Sequence, residues 1–297
     1  MPLSPEPLVV HPDGLNAITS CGAVREVAFE EDLPPVADQR ILVQHTYNER
    51  GEFSNWHIHP NYTTYGYQIA GRLRIEYGPG GSESVEAGPG DFERIPPAFI
   101  QREGAIGETP REGIGIRIGS GIAVIDVGDP EPEDAEIAAA GNSALAAAAA
   151  AERVETVSPS SNAGMEPIVV TAADLDRRRS PGVIREVAFD EPLPFVEGQR
   201  VVVQRTRQDP GESSDWYIHP NYTTYGYRLS GRLRVEYGPA GAKSIEADPG
   251  DFIRIPPGVI YRECAVGDSA NVGIVIRVGT GPVAVAVGSP EPAEPAM

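Results

Sequence analysis

Two histidines separated by a single residue are the side chains best placed for chemistry in this sequence. His57 and His59 lie in the segment NWHIHPNYTTYGY. Residues two apart in a β-strand point to the same face, so both imidazoles would enter one pocket. Two imidazoles together with oxygen ligands suit iron, manganese, nickel or copper. We therefore expect a divalent transition metal here, with open coordination positions for a small-molecule substrate or dioxygen.

The same segment occurs a second time, at an offset of 160 residues. The second copy reads DWYIHPNYTTYGY, and the match runs without a gap from about residues 24–132 to residues 184–292. A long gapless self-match predicts two copies of one folding unit. The copies differ at the candidate site, because Tyr217 stands where the first copy has His57.

The elements that must position these residues are β-strands. The segments RILVQHTY and RVVVQRTR are rich in β-branched residues, and residues 72–77 alternate apolar and polar side chains. Glycine and proline mark turns at residues 78–80 and 89–91. Many short strands joined by tight turns predict a sandwich or a barrel.

The length of 297 residues and the repeat together predict two domains. We expect one domain over residues 1–132 and the other over residues 165–297. The connecting segment 133–164 is rich in alanine, and its helix propensity predicts a helical linker.

The charge of the chain limits its partners. A net charge of -19 repels nucleic acids and anionic membrane surfaces, so a small molecule is the expected partner. The amino-terminal residues lack a signal-peptide pattern, and Cys21 and Cys264 do not occupy matched positions. These features predict a reducing compartment, and the cytoplasm is the expected location.

The spacing of glycine, histidine and proline resembles the two motifs of the cupin superfamily. The first motif is G, five residues, HxH, three or four residues, E, six residues and G, and residues 51–71 fit it with Thr64 at the glutamate position. The second motif is G, five residues, PxG, two residues and H, and residues 90–101 fit it with Gln101 at the histidine position. The resemblance implies an all-β bicupin, in which two tandem jelly-roll barrels (double-stranded β-helices) are joined by the alanine-rich helical linker.

The resemblance also implies a ligand set. In the family, the two histidines of the first motif, its glutamate and the histidine of the second motif bind one divalent metal. Carried over to this chain, His57, His59 and Gln101 would hold the metal in the N-terminal barrel. His45, on the preceding strand, is a candidate substitute ligand or otherwise a pocket or surface histidine, and Thr64 is a candidate for contact with the substrate.

The C-terminal barrel retains one histidine of the motif. His219 is accompanied by Tyr217, Tyr261 and Thr224 at the corresponding positions. One imidazole with two phenols rarely holds a divalent metal, so this barrel is expected to be structural or to bind an organic ligand through these four residues.

Tyrosines and arginines near the motifs are further candidates. Tyr65 and Tyr67 have the spacing of side chains that pack on a sheet face, and one that reached the pocket could act as an acid or hold the substrate. The arginines shared by both copies, among them Arg117 and Arg277, are expected on outer strand faces, paired with acidic residues. Arg94 is the candidate for an inward arginine that would favour an anionic substrate.

These observations predict a metal-dependent bicupin enzyme that acts on a small organic molecule. Dioxygenase-like chemistry with iron is the first choice, followed by metal-assisted decarboxylation, isomerisation or cyclisation. Two alternatives remain open: a metal-free protein that binds small molecules, and a metal-free isomerase or cyclase that uses histidine or tyrosine as acid or base. A monomer with internal pseudo-twofold symmetry and a homodimer both agree with the repeat.

Overall fold

A computed structural model of the chain describes residues 5–20, 23–33, 38–128, 166–193 and 197–291. These residues form β-strands and short 3-10 turns, and none of their helices is long and apolar enough to cross a membrane. The strands are β1 Leu8–Val10, β2 Asn16–Ser20, β3 Ala23–Asp32, β4 Gln39–Asn48, β5 His57–Ile58, β6 Tyr62–Ala70, β7 Arg72–Tyr77, β8 Glu83–Ala87, β9 Phe92–Ile95, β10 Gln101–Ile106, β11 Arg111–Ser120, β12 Ile125–Asp126, β13 Ile168–Val170, β14 Asp176–Ser180, β15 Val183–Pro192, β16 Arg200–Gln208, β17 Tyr217–Ile218, β18 Tyr222–Ser230, β19 Arg232–Tyr237, β20 Lys243–Ala247, β21 Phe252–Ile255, β22 Ile260–Val266, β23 Asn271–Gly279 and β24 Val285–Ala286. The 3-10 turns are Pro12–Gly14, Pro79–Gly81 and Pro239–Gly241.

The chain divides into two compact units. The first barrel is Asn16–Ala173, and the second barrel consists of Met1–Leu15 and Asp174–Met297. In the described part of the first barrel, a seven-stranded sheet has the order β13-β9-β6-β11-β4-β3-β2 and a five-stranded sheet has the order β12-β5-β10-β7-β8. The second barrel repeats this arrangement with the orders β1-β21-β18-β23-β16-β15-β14 and β20-β19-β22-β17-β24. The structure confirms the predicted all-β fold of two tandem jelly-roll barrels.

The domain boundaries differ from those predicted by sequence. Residues 1–15 belong to the second barrel because β1 pairs with β21, with Val9 opposite Ile253. Strand β13, which follows the predicted linker, pairs with β9 in the first barrel. Each added strand becomes the outermost strand of its seven-stranded sheet and covers β21 or β9, which would otherwise present unpaired backbone groups. The predicted helical linker at residues 133–164 lies outside the described residues.

An apolar core fills part of each barrel. In the first barrel, alternate residues of β7 point inward, so Leu73 and Ile75 pack with Ile95, and all three are at most 1% exposed. Val169 of β13 packs against this cluster. In the second barrel, Val9 of β1 packs against the matching core cluster. The period-two pattern in the sequence therefore correctly identified the face that is buried.

A glycine makes the sharp connection between β6 and β7. Gly71 has a φ of 70°, and a Cβ atom at this position would lie 2.2 Å from the backbone oxygen of Pro110. The left-handed backbone and the close approach both exclude other residues. The second barrel has Gly231, with a φ of 66°, at the matched position.

Candidate functional site

The predicted histidine pair occupies the interior of the first barrel. His57 lies on β5, where it faces Gln101 of β10, and His59 follows two residues later. Because His57 and His59 are two residues apart in extended backbone, their rings lie on the same side. The ring centroids are 4.9 Å apart and the ring planes are inclined by 71°. Both side chains are at most 2% exposed.

The hydrogen bonds of the two histidines determine their tautomers. His57 Nδ1 lies 2.8 Å from the carbonyl oxygen of Asn55, and His59 Nδ1 lies 2.5 Å from that of Ala123. A carbonyl oxygen only accepts, so each Nδ1 carries a proton and each Nε2 has a free lone pair. Neither Nε2 has a hydrogen-bond partner among the described residues.

Burial keeps both imidazoles neutral. It lowers the pKa of His57, and it lowers the pKa of His59 to well below the ordinary value, with a further contribution from the charge of Arg117. Neutral imidazoles whose Nδ1 atoms are fixed by backbone carbonyls have the arrangement that ligating histidines require. Their unpartnered Nε2 atoms are the feature that most clearly indicates a ligand.

Other polar groups near the histidines also lack partners. Both side-chain amide atoms of Gln101 and the hydroxyl of Thr64 are buried without a hydrogen bond to any described residue. Gln44, on the interior face of β4, has an unpartnered Oε1. Buried polar atoms are almost always satisfied, so such a cluster indicates a bound species. Gln101 and Thr64 were predicted here from the motif spacing, whereas Gln44 was not predicted.

Arg117 lies on a different face from the one predicted by the sequence. It is 3% exposed, lies opposite Thr64 in the β6–β11 pair, and influences the pKa of both histidines. It was expected on an outer face, paired with acids. The signal that could have located it is the sequence GIGIRIG, in which one charge interrupts a run of apolar residues.

A buried ion pair lies close to the histidines. Arg25 Nη2 is 3.1 Å from Glu103 Oε1, and the Ser54 hydroxyl accepts a hydrogen bond of 3.0 Å from the backbone of Glu103. Burial by itself would raise the pKa of Glu103, but Arg25 and Arg111 lower it below its usual value. Glu103 is therefore ionised, and its charge partly offsets that of Arg117 beside the imidazoles.

The donor set of the first barrel fits an open metal site. Two neutral imidazoles and the amide oxygen of Gln101 are available, and Thr64 replaces the carboxylate of the cupin motif. No group of three or more His, Cys, Asp or Glu side chains that could hold a metal occurs among the described residues. A metal held here would therefore depend on His57 and His59 and leave several positions for water or substrate.

The second barrel does not fit a metal. His219 Nε2, which corresponds to the free atom of His59, accepts a hydrogen bond of 3.0 Å from Arg277 Nε. The Nδ1 atom of His219 donates to the carbonyl oxygen of Val283. Burial and the charge of Arg277 lower the pKa of His219 to about 2. The buried Arg277 was also expected on an outer face; instead it occupies the lone pair that a metal would need.

Two tyrosines replace the missing ligands of the second barrel. The rings of Tyr217 and Tyr261 have centroids 4.5 Å apart, and both residues are at most 6% exposed. Burial and the charge of Glu263 raise the pKa of both phenols. Their hydroxyls and that of Thr224 lie close together but form no well-aligned hydrogen bond in the described residues. The structure thus brings together the four residues that the sequence analysis assigned to this barrel.

Three other candidates do not join either site. Tyr65 and Tyr67 lie on the opposite face of β6 from Thr64, and Tyr67 packs on Phe92 with ring centroids 4.8 Å apart. Arg94 lies on that same face, opposite Tyr65 in the β6–β9 pair. These corrections share one cause: neighbouring residues of a strand point to opposite faces, and Thr64 takes the inner one.

His45 is a fourth candidate that lies outside both sites, in contact with acidic side chains. Its Nδ1 lies 3.0 Å from a carboxylate oxygen of Glu26, and its Nε2 lies 2.8 Å from one of Glu112. It neighbours Gln44 on β4 and therefore points to the opposite face from the histidine pair. His45 is not a ligand of this site, because both of its ring nitrogens are occupied by acidic residues.

The exposed arginines agree with the prediction of outer-face ion pairs. Arg74 Nη2 lies 2.7 Å from Glu86, and Arg102 Nη2 lies 2.7 Å from Glu76. Arg102 also covers the ring of Trp56, with its guanidinium carbon 5.0 Å from the ring centroid.

Comparisons with known proteins agree with this fold. Residues 204–276 match the family model described as a cupin domain. A point mutant of Bacillus subtilis oxalate decarboxylase superposes with a TM-score of 0.64 and 15% identity, over 94% of this chain and 79% of that chain. The same enzyme at pH 4.6 gives a TM-score of 0.62 and 14% identity, over 94% and 78% of the two chains.

A further structure of the Bacillus subtilis enzyme, from work that assigned the EPR fine-structure parameters of its Mn(II) centres, gives a TM-score of 0.63 at 14% identity, over 94% of this chain and 79% of that chain. At these identities the similarity establishes the fold, and function rests on the site itself. Comparison with curated proteins finds no significant match. The chain therefore has the cupin fold in both barrels.

Proposed function

We propose that this chain is a metal-dependent cupin enzyme that acts on a small, oxygen-bearing organic molecule in the first barrel. The observation that carries the proposal is the pair of buried, unpartnered Nε2 lone pairs of His57 and His59. Leaving two such acceptors buried without a partner would cost free energy, about 1–3 kcal/mol for each group. A divalent cation removes that cost.

The chain's own residues would have distinct roles. His57 and His59 would hold the metal, and Gln101 would contribute its amide oxygen or orient a ligand water. A bound divalent metal supplies Lewis acidity toward substrate oxygens and, when it is redox-active, one-electron chemistry with dioxygen. Arg117, buried beside the imidazoles, favours a substrate that carries negative charge.

The choice of metal and reaction belongs to the same proposal. The donor set suits manganese as well as iron. The Mn(II) centres of the fold neighbour favour manganese over the iron expected from the sequence. Dioxygenase-like chemistry and decarboxylation both use an oxygen-rich substrate, and parallel assays of oxygen uptake and carbon dioxide release separate them.

Metal content of the purified full chain tests the proposal. We expect about one divalent transition metal per chain, as one two-histidine site would hold. The variants His57→Ala and His59→Ala should lose this metal. His219→Ala is the matched control, because it removes the equivalent imidazole from the second barrel, where Arg277 occupies Nε2. Substoichiometric metal that is unchanged in all variants and not restored by added manganese or iron would overturn the proposal.

The second candidate is a metal-free protein that binds a small molecule. It is favoured by the second barrel, where a cavity is present and Arg277 occupies the histidine lone pair that a metal would need. A metal-free isomerase or cyclase is the third candidate, with a neutral histidine of the first barrel as the base. Turnover that persists after chelation would support the third candidate, whereas ligand binding without turnover would support the second.

A further inference from the structure

The second barrel contains a cavity of about 310 Å³ whose wall includes Arg178, Arg185 and Arg277. Ligand pockets typically measure about 300–1,000 Å³, so this cavity suits a small molecule. The remaining wall is largely apolar, with Val187, Val202, Val283, Ala284 and Ala286. The cavity therefore combines cationic groups with an apolar lining.

The innermost of these arginines has donor capacity left over. Arg277 is 2% exposed, and its Nε donates to His219 Nε2 at 3.0 Å. Its Nη2 atom is buried and has no hydrogen-bond partner among the described residues. The bond to His219 holds the guanidinium in place, and the free Nη2 atom remains for a ligand. Burying a guanidinium without a nearby anion costs free energy, so a negatively charged ligand would stabilise this site.

Arg185 contributes a second cationic group, and it lacks the internal ion pair that its counterpart in the first barrel forms. Its equivalent in the first barrel, Arg25, is bound to Glu103 at 3.1 Å. In the second barrel, Arg185 instead donates to the Ser180 hydroxyl at 2.5 Å. Within the described residues, no carboxylate lies within ion-pair distance of Arg185 or Arg277. The two barrels thus use the same arginine position in different ways.

The two carboxylates that line the cavity, Asp190 and Asp215, form no ion pair with Arg185 or Arg277 among the described residues. Asp190 lies 2.7 Å from Arg200 and 3.6 Å from Arg178. Arg178 also pairs with Asp176 at 2.8 Å, so it is the compensated member of the three. Asp215 lies at the exposed rim of the cavity.

The aromatic and polar groups of the wall agree with an oxygen-bearing ligand. Tyr217 lines the cavity, and because its pKa lies well above the ordinary value it remains a hydrogen-bond donor at neutral pH. Gln204 has a buried side-chain Nε2 without a partner in the described residues. The unpartnered atoms here are donors, whereas those around His57 and His59 are mainly acceptors.

We infer that this cavity is a binding site for a small organic carboxylate, with Arg277 and Arg185 as its anchors. The carboxylate accepts hydrogen bonds from the two guanidinium groups and from Tyr217, and the apolar part of the ligand contacts the valines and alanines. The apolar wall favours an organic acid over inorganic phosphate. The site goes beyond the proposed metal chemistry and needs no metal.

Calorimetric titration of the chelator-treated full chain tests the site. Hexanoate is the probe, and hexanamide, which has nearly the same shape without the charge, is its control. We expect hexanoate to bind at least about tenfold more tightly than hexanamide, since only the anionic carboxylate can accept charge-assisted hydrogen bonds at both of its oxygens. Inorganic phosphate should bind more weakly than hexanoate.

Substitutions in the second barrel assign the anchors. Arg277→Gln and Arg185→Gln should each weaken hexanoate binding at least about tenfold. Arg234→Gln is the matched control, because Arg234 pairs with Glu246 on the outer face of the same barrel. If Arg277→Gln fails to fold, Arg185→Gln decides the result, because Arg185 is only partly buried.

Three outcomes would overturn the inference. They are no binding of hexanoate by the wild type at millimolar concentration, equal affinity for hexanoate and hexanamide, and unchanged affinity in Arg185→Gln. Because the protein is metal-free in this titration, none of these outcomes bears on the metal of the first barrel. The metal analysis of His57→Ala and His59→Ala tests that site separately.

Discussion

A buried glutamate in the first barrel should make the stability of that barrel depend on pH. Glu93 is 3% exposed, and its Oε1 accepts a hydrogen bond of 2.7 Å from Gln68 Nε2. Arg111 Nη2 lies 3.8 Å away. Burial raises the pKa of Glu93 from 4.5 to about 7, although Arg111 and Gln68 oppose the rise.

The direction of the effect follows from this shift. The folded state binds the Glu93 proton more tightly than the unfolded state, so the associated stability is fully present below pH 4.5 and is lost as the pH rises through about 7. At about 1.4 kcal/mol per pKa unit, the whole change is about 3 kcal/mol. We expect wild type to lose about 2–3 kcal/mol relative to Glu93→Gln between about pH 5 and pH 8.

Urea denaturation at a series of pH values measures this difference. The chain has two tryptophans, so a Trp216→Phe background leaves Trp56 as the fluorescent reporter of the first barrel. Glutamine retains an oxygen that can accept from Gln68 and cannot ionise. The buried histidines contribute the same pH dependence of unfolding free energy to both proteins, so their contribution cancels in the comparison. If the unfolding free energies of the two proteins changed in parallel with pH, the argument that ionisation of buried Glu93 destabilises the folded state would be refuted.

Three further predictions concern structure and stability. Gly119→Ala should destabilise the first barrel by more than about 2 kcal/mol, because its Cβ atom would lie 1.9 Å from the backbone oxygen of Asn61. Gly128→Ala is the control, because its Cβ atom would have no other atom within 4 Å. Its unfolding free energy in the same urea titration should differ from that of the wild type by less than about 0.5 kcal/mol. His45→Gln should leave the metal content unchanged, because both ring nitrogens contact acidic residues on the other face of β4; a loss of metal would show that this assignment is wrong. Ile75→Ala should cost about 2–5 kcal/mol of unfolding free energy, because Ile75 is 0% exposed in the core, and a cost below about 1 kcal/mol would contradict that packing.

Sequence reasoning located the histidine pair because the information needed was local. His57 and His59 are two residues apart, and strand geometry alone puts them on one face. The four polar residues of the second barrel, among them Tyr217 and Tyr261, were found by comparing the two copies position by position. In both cases the motif spacing, read in one copy or compared between the two, was sufficient.

Three arginines were predicted on the wrong face, because the face of each depends on other strands. Arg117 and Arg277 were expected outside and lie inside, whereas Arg94 was the candidate for an inward position and lies on the other face of its sheet. Alternation tells which residues of a strand share a face, but it does not tell which face is the inner one. That choice is made by long-range pairing and by the charges available inside each barrel.

The sequence by itself determined the all-β repeat architecture, the turn positions and the histidine pair, because each depends on patterns a few residues long or on a self-match. The tertiary structure decided the rest. It decided that β1 completes the second barrel and β13 the first, and that Arg277 occupies the lone pair of His219. It also decided that Arg185 bonds to a serine hydroxyl, whereas its counterpart Arg25 pairs with a glutamate. These outcomes depend on residues far apart in the chain, and whether a buried charge finds a partner is settled only when the strands that carry both groups are side by side.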